Sequence, residues 1–270
     1  MKLTSRNYYS AKANAEYFSV SQFKAFKKCE AAAMAELRGE YIPERGRALL
    51  LGSFVDEMLT GTKRSQEIFI EENRSELYKK NGEPYADVEQ AIEAVSRVRA
   101  QPLMMKYLGG KHQVIMTGVI EGVPIKGRFD SYAPDEFIAD LKYLKDFRSP
   151  NLFENAISYY DYITQGAIYQ ELVFQNTGKR LPFYLVIVTK QDPPDVAVVR
   201  IDDFDLEKAL EDFKKQITGF QQIKSGNEEP IRCDSHDCPY CRGSKVLTEV
   251  IDHNLLGMSR KQLEAMRGEL

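Results

Sequence analysis

A change of hydrophobic period near residue 112 constrains this chain more than any other feature. Before it, apolar residues recur at helical spacing. Ser21, a suitable N-cap, opens a stretch with Phe23, Phe26, Ala33 and Leu37 on one face. Ala48, Leu51, Val55, Met58 and Leu59 mark a second helix over 47–59, and a third runs over 87–100, ended by Pro102. Residues 63–84 are polar and mixed. After it come short β-branched or aromatic runs at 112–121, 123–132 and 137–145, divided by Gly122 and by Ala133-Pro134-Asp135-Glu136. Such runs predict a β-meander. A long helix is expected over 152–175, and strands over 183–190 and 195–201 around Asp192-Pro193-Pro194. Leu206, Leu210, Phe213, Ile217 and Phe220 then keep one helical face. Helices, three strands, a helix and two strands predict an α/β fold with a mixed sheet flanked by helices.

The 270 residues fit one large domain. It divides into a helical part (1–111), a core (112–224) and a cysteine-rich segment with a polar tail (225–270). With 29% charged residues, 14 Phe and 15 Tyr, the chain has the composition of a folded protein. The apolar run at 181–188 is far short of the ~20 residues of a membrane span, so no membrane association is expected. The first residues lack the apolar core of a signal peptide, which predicts a cytoplasmic protein. A net charge of −3 argues against coating nucleic acid by bulk positive charge and leaves room for a local basic groove.

The chemistry concentrates in KGRFDSY and FIADLKYLK. On a strand, Asp140 and Lys142 share one face while Ala139 and Leu141 pack behind. A three-residue connection over 134–136 sets Asp130 directly opposite Asp140, whereas a two-residue loop would put them on opposite faces. Two facing carboxylates repel unless a cation lies between them. Hard oxygen ligands suit Mg²⁺ or Mn²⁺, which can bind a phosphate oxygen and a water together. Lys142 could orient or deprotonate that water, or stabilise developing charge. On its own the triplet also fits an exposed ion pair. In LLLGSFVDEML, Asp56 interrupts an apolar run, and Gly52 one turn earlier clears its approach. In YITQGAIYQ, Gln165 and Tyr169 share a helix face, and Gly166 would admit a ligand close to the backbone.

In this order, GSFVD, GRFD, DLK and Q-x-x-x-Y resemble the PDDEXK nuclease superfamily in its RecB-like branch. SVSQFKAFKKCE and ALLLGSFVDEML narrow the resemblance to RecE-type (exonuclease VIII-like) phage or prophage exonucleases. The resemblance implies a restriction-endonuclease-like core and Mg²⁺- or Mn²⁺-dependent hydrolysis of linear double-stranded DNA. It further implies 5′→3′ cleavage without ATP in phage-type recombination, a single-strand annealing protein as partner, and a homo-oligomer. Asp130 and Asp140 take the places of the metal-binding acids, with the Leu141 carbonyl beside them, and Lys142 that of the catalytic lysine. Gln165 and Tyr169 match the helix motif that touches DNA or supports the site. Asp56 stands where this branch usually has a histidine. The alternatives are an endonuclease with the same core, or a catalytically weak DNA-binding module kept as a scaffold. No G-x-x-x-x-G-K-[ST], H-E-x-x-H or G-x-S-x-G motif competes.

Cys233, Cys238 and Cys241 form C-x4-C-x2-C, a spacing that points to a metal. Cys29 or His236 could complete it, holding Zn²⁺ or an iron–sulfur cluster. Some RecB-branch nucleases resemble this layout, with one early and three late cysteines around a [4Fe–4S] cluster. That resemblance implies convergence of Cys29, Cys233, Cys238 and Cys241.

Overall fold

The computed structural model describes residues 1–44, 46–147, 155–159, 161–235 and 237–247, together with 250, 253 and 258. His236 and the start of the long predicted helix lie outside the described residues. The helical part comprises α1 (Ala11–Glu16), α2 (Val20–Lys28), α3 (Glu30–Leu37), α4 (Arg47–Thr60), α5 (Lys63–Glu72), α6 (Arg74–Leu77), α7 (Ala86–Arg99) and α8 (Pro102–Leu108). Strands β1 (Val114–Ile120), β2 (Val123–Phe129), β3 (Ser131–Ala133) and β4 (Phe137–Leu144) follow. Then come α9 (Ala156–Tyr159), α10 (Tyr162–Thr177), β5 (Phe183–Thr189), β6 (Val196–Arg200), α11 (Asp203–Lys224) and α12 (Pro239–Gly243).

The central sheet runs β3-β4-β5-β6 and is mixed: β4 and β5 are parallel, and the outer pairs antiparallel. Parallel neighbours need a crossover, and the segment holding α9 and α10 supplies it. Each strand feeds both faces by alternation. Phe183, Leu185 and Ile187 join a core with Phe23, Phe26, Ile168, Leu172 and the apolar face of α11. Val186, Val188, Ala139 and Leu141 join a second core with Leu51, Phe54 and Val55 of α4 and the buried face of α7. The result is helices on both faces of a mixed sheet, as the sequence pattern predicts.

Three local predictions need correction. The meander divides: β2 pairs with β1 in a separate hairpin, and only β3 joins the central sheet. The hairpin closes through Glu121 and Gly122, both left-handed (φ 49° and 76°), the twist that two-residue turns favour. The chain bends at Asp130, between the two sheets. Ser19, not Ser21, caps α2, its Oγ accepting the Gln22 N–H at 3.3 Å. The predicted continuous helix to Leu37 breaks at Cys29, whose backbone is extended (φ −165°, ψ 108°). Helices α5, α6 and α8, with polar or very short apolar patterns, were not signalled by periodicity.

Gly166 also acts otherwise than expected. A Cβ there would drive into the Phe183 ring and approach Leu206 at 2.9 Å, so the missing side chain lets α10 lie against the sheet and α11, not a ligand. Gly166→Ala should therefore destabilise the fold by about 1–3 kcal/mol, as overpacking does. Differential scanning calorimetry should show the loss, and Phe183→Leu in the same chain should restore part of it.

Candidate active site

The β3–β4 connection is the three-residue turn on which the site depends. Ser131 pairs with Ala139 and Ala133 with Phe137, so Asp130, one step before β3, comes opposite Asp140. Asp135 takes the left-handed position of the turn (φ 70°). Asp140 and Lys142 share the face that Ile138 and Leu144 continue into the first core. Asp130 Oδ2 accepts the Leu141 backbone N–H at 3.1 Å. Asp140 Oδ1 accepts from Gln165 Nε2 on α10 at 2.7 Å, and the Lys142 ammonium pairs with its Oδ2.

Asp56 enters from α4. Its Oδ1 accepts from Thr60 Oγ1 at 3.1 Å and its Oδ2 from Gln113 Nε2 at 3.2 Å. Gln113 holds a left-handed backbone (φ 55°), which non-glycine residues adopt at a cost and which here aims its amide at the acid. Asp56, Asp130, Asp140, Leu141, Lys142, Gln165 and Tyr169 all line one open groove of about 500 Å³. A Cβ at Gly52 would meet nothing within 4 Å, so that wall is open. Tyr169 is buried, its hydroxyl donating to the Arg128 carbonyl at 2.9 Å and its ring 4.5 Å from Phe129. It props the strand that leads to Asp130.

The electrostatics are those of a group short of cations. Burial first, then the charges of Asp140 and Asp56, hold the Asp130 carboxyl well above the usual range. Burial raises Asp56 as well, Asp140 adding to it against the Thr60 hydrogen bond. Burial pulls the Lys142 ammonium down, yet Asp140 and Asp130 together outweigh it and hold its pKa above normal. Three carboxylates gathered beside Lys142 fit a hard divalent cation, which would relieve this repulsion.

The PDDEXK-like domain of unknown function (DUF3799) matches residues 19–244. The chain belongs to this family. A crystal structure from Eubacterium rectale, of a protein designated a candidate exonuclease, is 37% identical. The match covers 93% of this chain and 97% of that one, with a TM-score of 0.87. Among curated proteins none matches. The restriction-endonuclease-like core expected from the motifs is thus the fold of this PDDEXK-like chain.

Other groove residues escaped the sequence reading. Lys24 of α2 and Lys142 flank Tyr162, 5.2 and 4.8 Å from its ring centroid. Burial lowers Lys24 to about 8, Asp161 opposing. Lys126 and Arg128 also line the groove. Their signal was present: in KGRFD, Lys, Arg and Asp alternate, so a strand reading puts all three on one face.

The four cysteines converge elsewhere. Their sulfurs all lie within 4.8 Å of one another, with Cys29 and Cys233 Sγ at 3.6 and 3.8 Å from that of Cys241. Cys29, Cys238 and Cys241 are buried. Cys29 stands at the α2–α3 break rather than on a continuous helix face. Burial pushes the Cys241 thiol up to about 12, with its sulfur neighbours adding to the shift. A bound cation would hold the four converging sulfurs together as thiolates.

A raised carboxylate pKa implies stability present below the ordinary carboxylate value and lost as pH climbs through the raised one. Asp130→Asn keeps an acceptor for the Leu141 N–H and removes that loss. At pH 8, without added divalent ions, this variant should melt a few degrees above wild type. Wild type alone should gain stability on adding Mn²⁺. Thermal melts with and without Mn²⁺ check both.

Proposed function

We propose that the chain is a metal-dependent exodeoxyribonuclease that hydrolyses phosphodiester bonds of linear double-stranded DNA. The observation that carries it is the convergence of Asp56, Asp130 and Asp140 with Lys142 in one open groove. The membership in a PDDEXK-like family and the neighbour's designation support the same chemistry. Asp130 and Asp140 would hold one or two Mg²⁺ or Mn²⁺ ions, with Asp56 and the Leu141 carbonyl assisting. Such an ion would supply activation of a water and neutralisation of phosphate charge.

The chain's own residues supply the rest. Gln165 fixes the rotamer of Asp140 through its 2.7 Å hydrogen bond, and Tyr169 holds the backbone before Asp130. Lys142 faces Asp140 and Asp130, whose charges favour its ammonium form in the metal-free site. It is placed to orient or deprotonate the water, or to stabilise charge on the phosphoryl oxygens. Asp56 offers a hard oxygen where the RecB-like branch usually has a histidine nitrogen. Polarity 5′→3′, independence of ATP, and hand-over to an annealing protein rest on the RecE-type resemblance.

The cysteines are proposed to form a structural centre. A tetrahedral Zn²⁺ with bonds near 2.3 Å places its thiolates about 3.8 Å apart. The sulfur spacing supports such a single ion. A four-iron cluster must fit its own sulfides between the thiolates and would spread them further, so zinc is preferred here to [4Fe–4S].

Incubation of linear duplex with Mg²⁺ or Mn²⁺ and no ATP should release nucleotides. Lys142→Ala should bind DNA normally yet cleave it ~10²-fold more slowly or worse. Nicking of covalently closed circles would make the enzyme an endonuclease, and uncleaved DNA would leave only a binding module. Metal analysis should find about one zinc per chain, and Cys241→Ser should lose it together with thermal stability.

A further inference from the structure

The groove does not stop at the carboxylates. A second groove of about 510 Å³ continues from it, and Tyr8, Tyr9, Ser19, Ser21 and Lys126 line both. Tyr9 thus stands on the stretch that the two grooves share. Among the exposed aromatic rings of the described residues, only Tyr9 lines the groove beside the acids. Its side chain is 64% exposed, which an incidental tyrosine next to a core would not require.

The ring is nonetheless held in place. It meets Tyr8 edge to face, with centroids 4.9 Å apart at 87°. Tyr8 is itself buried and fixed by Lys126, whose Nζ donates to the Tyr8 carbonyl at 2.6 Å and to Asn14 Oδ1 at 2.7 Å. The Arg128 guanidinium lies 5.0 Å from the Tyr9 centroid and 5.8 Å from that of Tyr8. A largely exposed ring with a guanidinium over it, on a scaffold of a second ring and a buried ammonium, is the chemistry that takes a nucleobase and its phosphate. A base within a duplex is already stacked on both faces. Such a ring therefore serves an unpaired base or the outer face of a terminal pair, and a groove that runs on past the acids favours the first.

We propose that Tyr9, supported by Arg128, is a stacking platform for an unpaired nucleotide of the substrate strand, so that the second groove carries single-stranded DNA. This rests on the DNA-nuclease reading of the neighbouring acids and extends it to the form of the strand. The platform is sequence-tolerant, because every base has a π-face.

The test uses the full chain without added Mg²⁺ or Mn²⁺. Fluorescence anisotropy measures binding to a labelled single-stranded 12-mer and to a covalently closed duplex circle, for wild type, Tyr9→Ala and Tyr9→Phe. Tyr9→Ala should weaken single-strand binding about 5- to 100-fold, the scale of one lost base–aromatic stack. Tyr9→Phe should stay within about twofold, since stacking needs the ring and not the hydroxyl. Circle binding should be unchanged in all three. With 2-aminopurine in the 12-mer, wild type and Tyr9→Phe should quench its fluorescence and Tyr9→Ala should not. Single-strand binding by Tyr9→Ala within twofold of wild type overturns the platform, as does a Tyr9→Phe as weak as Tyr9→Ala. If wild type cleaves linear DNA with Mn²⁺ while Tyr9→Ala binds as wild type does, the platform alone falls. If wild type neither binds nor cleaves any DNA, the nuclease reading falls and the platform with it.

Discussion

Mutual repulsion among Asp56, Asp130 and Asp140 is the constraint around which this fold is arranged. Burial raises the cost of ionising Asp56 and Asp130, the charge of Asp140 adds to both, and that of Asp56 adds again at Asp130. The chain offsets the repulsion only in part. The Lys142 ammonium pairs with Asp140, Arg128 acts on Asp56 from further off, and neutral donors from Gln165, Gln113, Thr60 and the Leu141 backbone supply hydrogen bonds. A core built for stability alone would not hold three such groups together. Their presence is what a site that trades stability of the empty fold for a bound cation would show.

Holding those acids takes several distant pieces of chain. The short turn at Pro134–Glu136 fixes which residue faces Asp140. The crossover helix α10 reaches Asp140 only because Gly166 and Gly127 let it press against Phe183 and β2. On the far side, α4 delivers Asp56 while its apolar residues fill the second core. The groove of the acids therefore lies where both cores meet the rim of the sheet.

Much of this could be read from residues alone, because period-2 alternation and loop parity are arithmetic. The parity of the connection after Ala133 decides whether Asp130 and Asp140 face one another, and the backbone agrees. What escaped depends on distant packing. The reading of Gly166 as an opening for a ligand failed because nothing local announces Phe183. The bend at Asp130 is set by β2 leaving to pair with β1. The break at Cys29 coincides with its approach to Cys241, 212 residues away, and no local pattern encodes it. Lys126 and Arg128 were visible in KGRFD, but alternation alone does not separate a groove from solvent.

That long separation also orders events in time. Cys29 leaves the ribosome some two hundred residues before Cys241, so the joint between α2 and α3 cannot be clasped until the nuclease core has been made. Helix α2 carries Ser19, Ser21 and Lys24 into the groove wall. Closing so large a loop removes conformational freedom chiefly from the unfolded chain. Joining the four sulfurs would thus act as a completion check: a chain cut short before its last cysteines keeps the acids of the core but lacks the partners that Cys29 meets beside the groove wall.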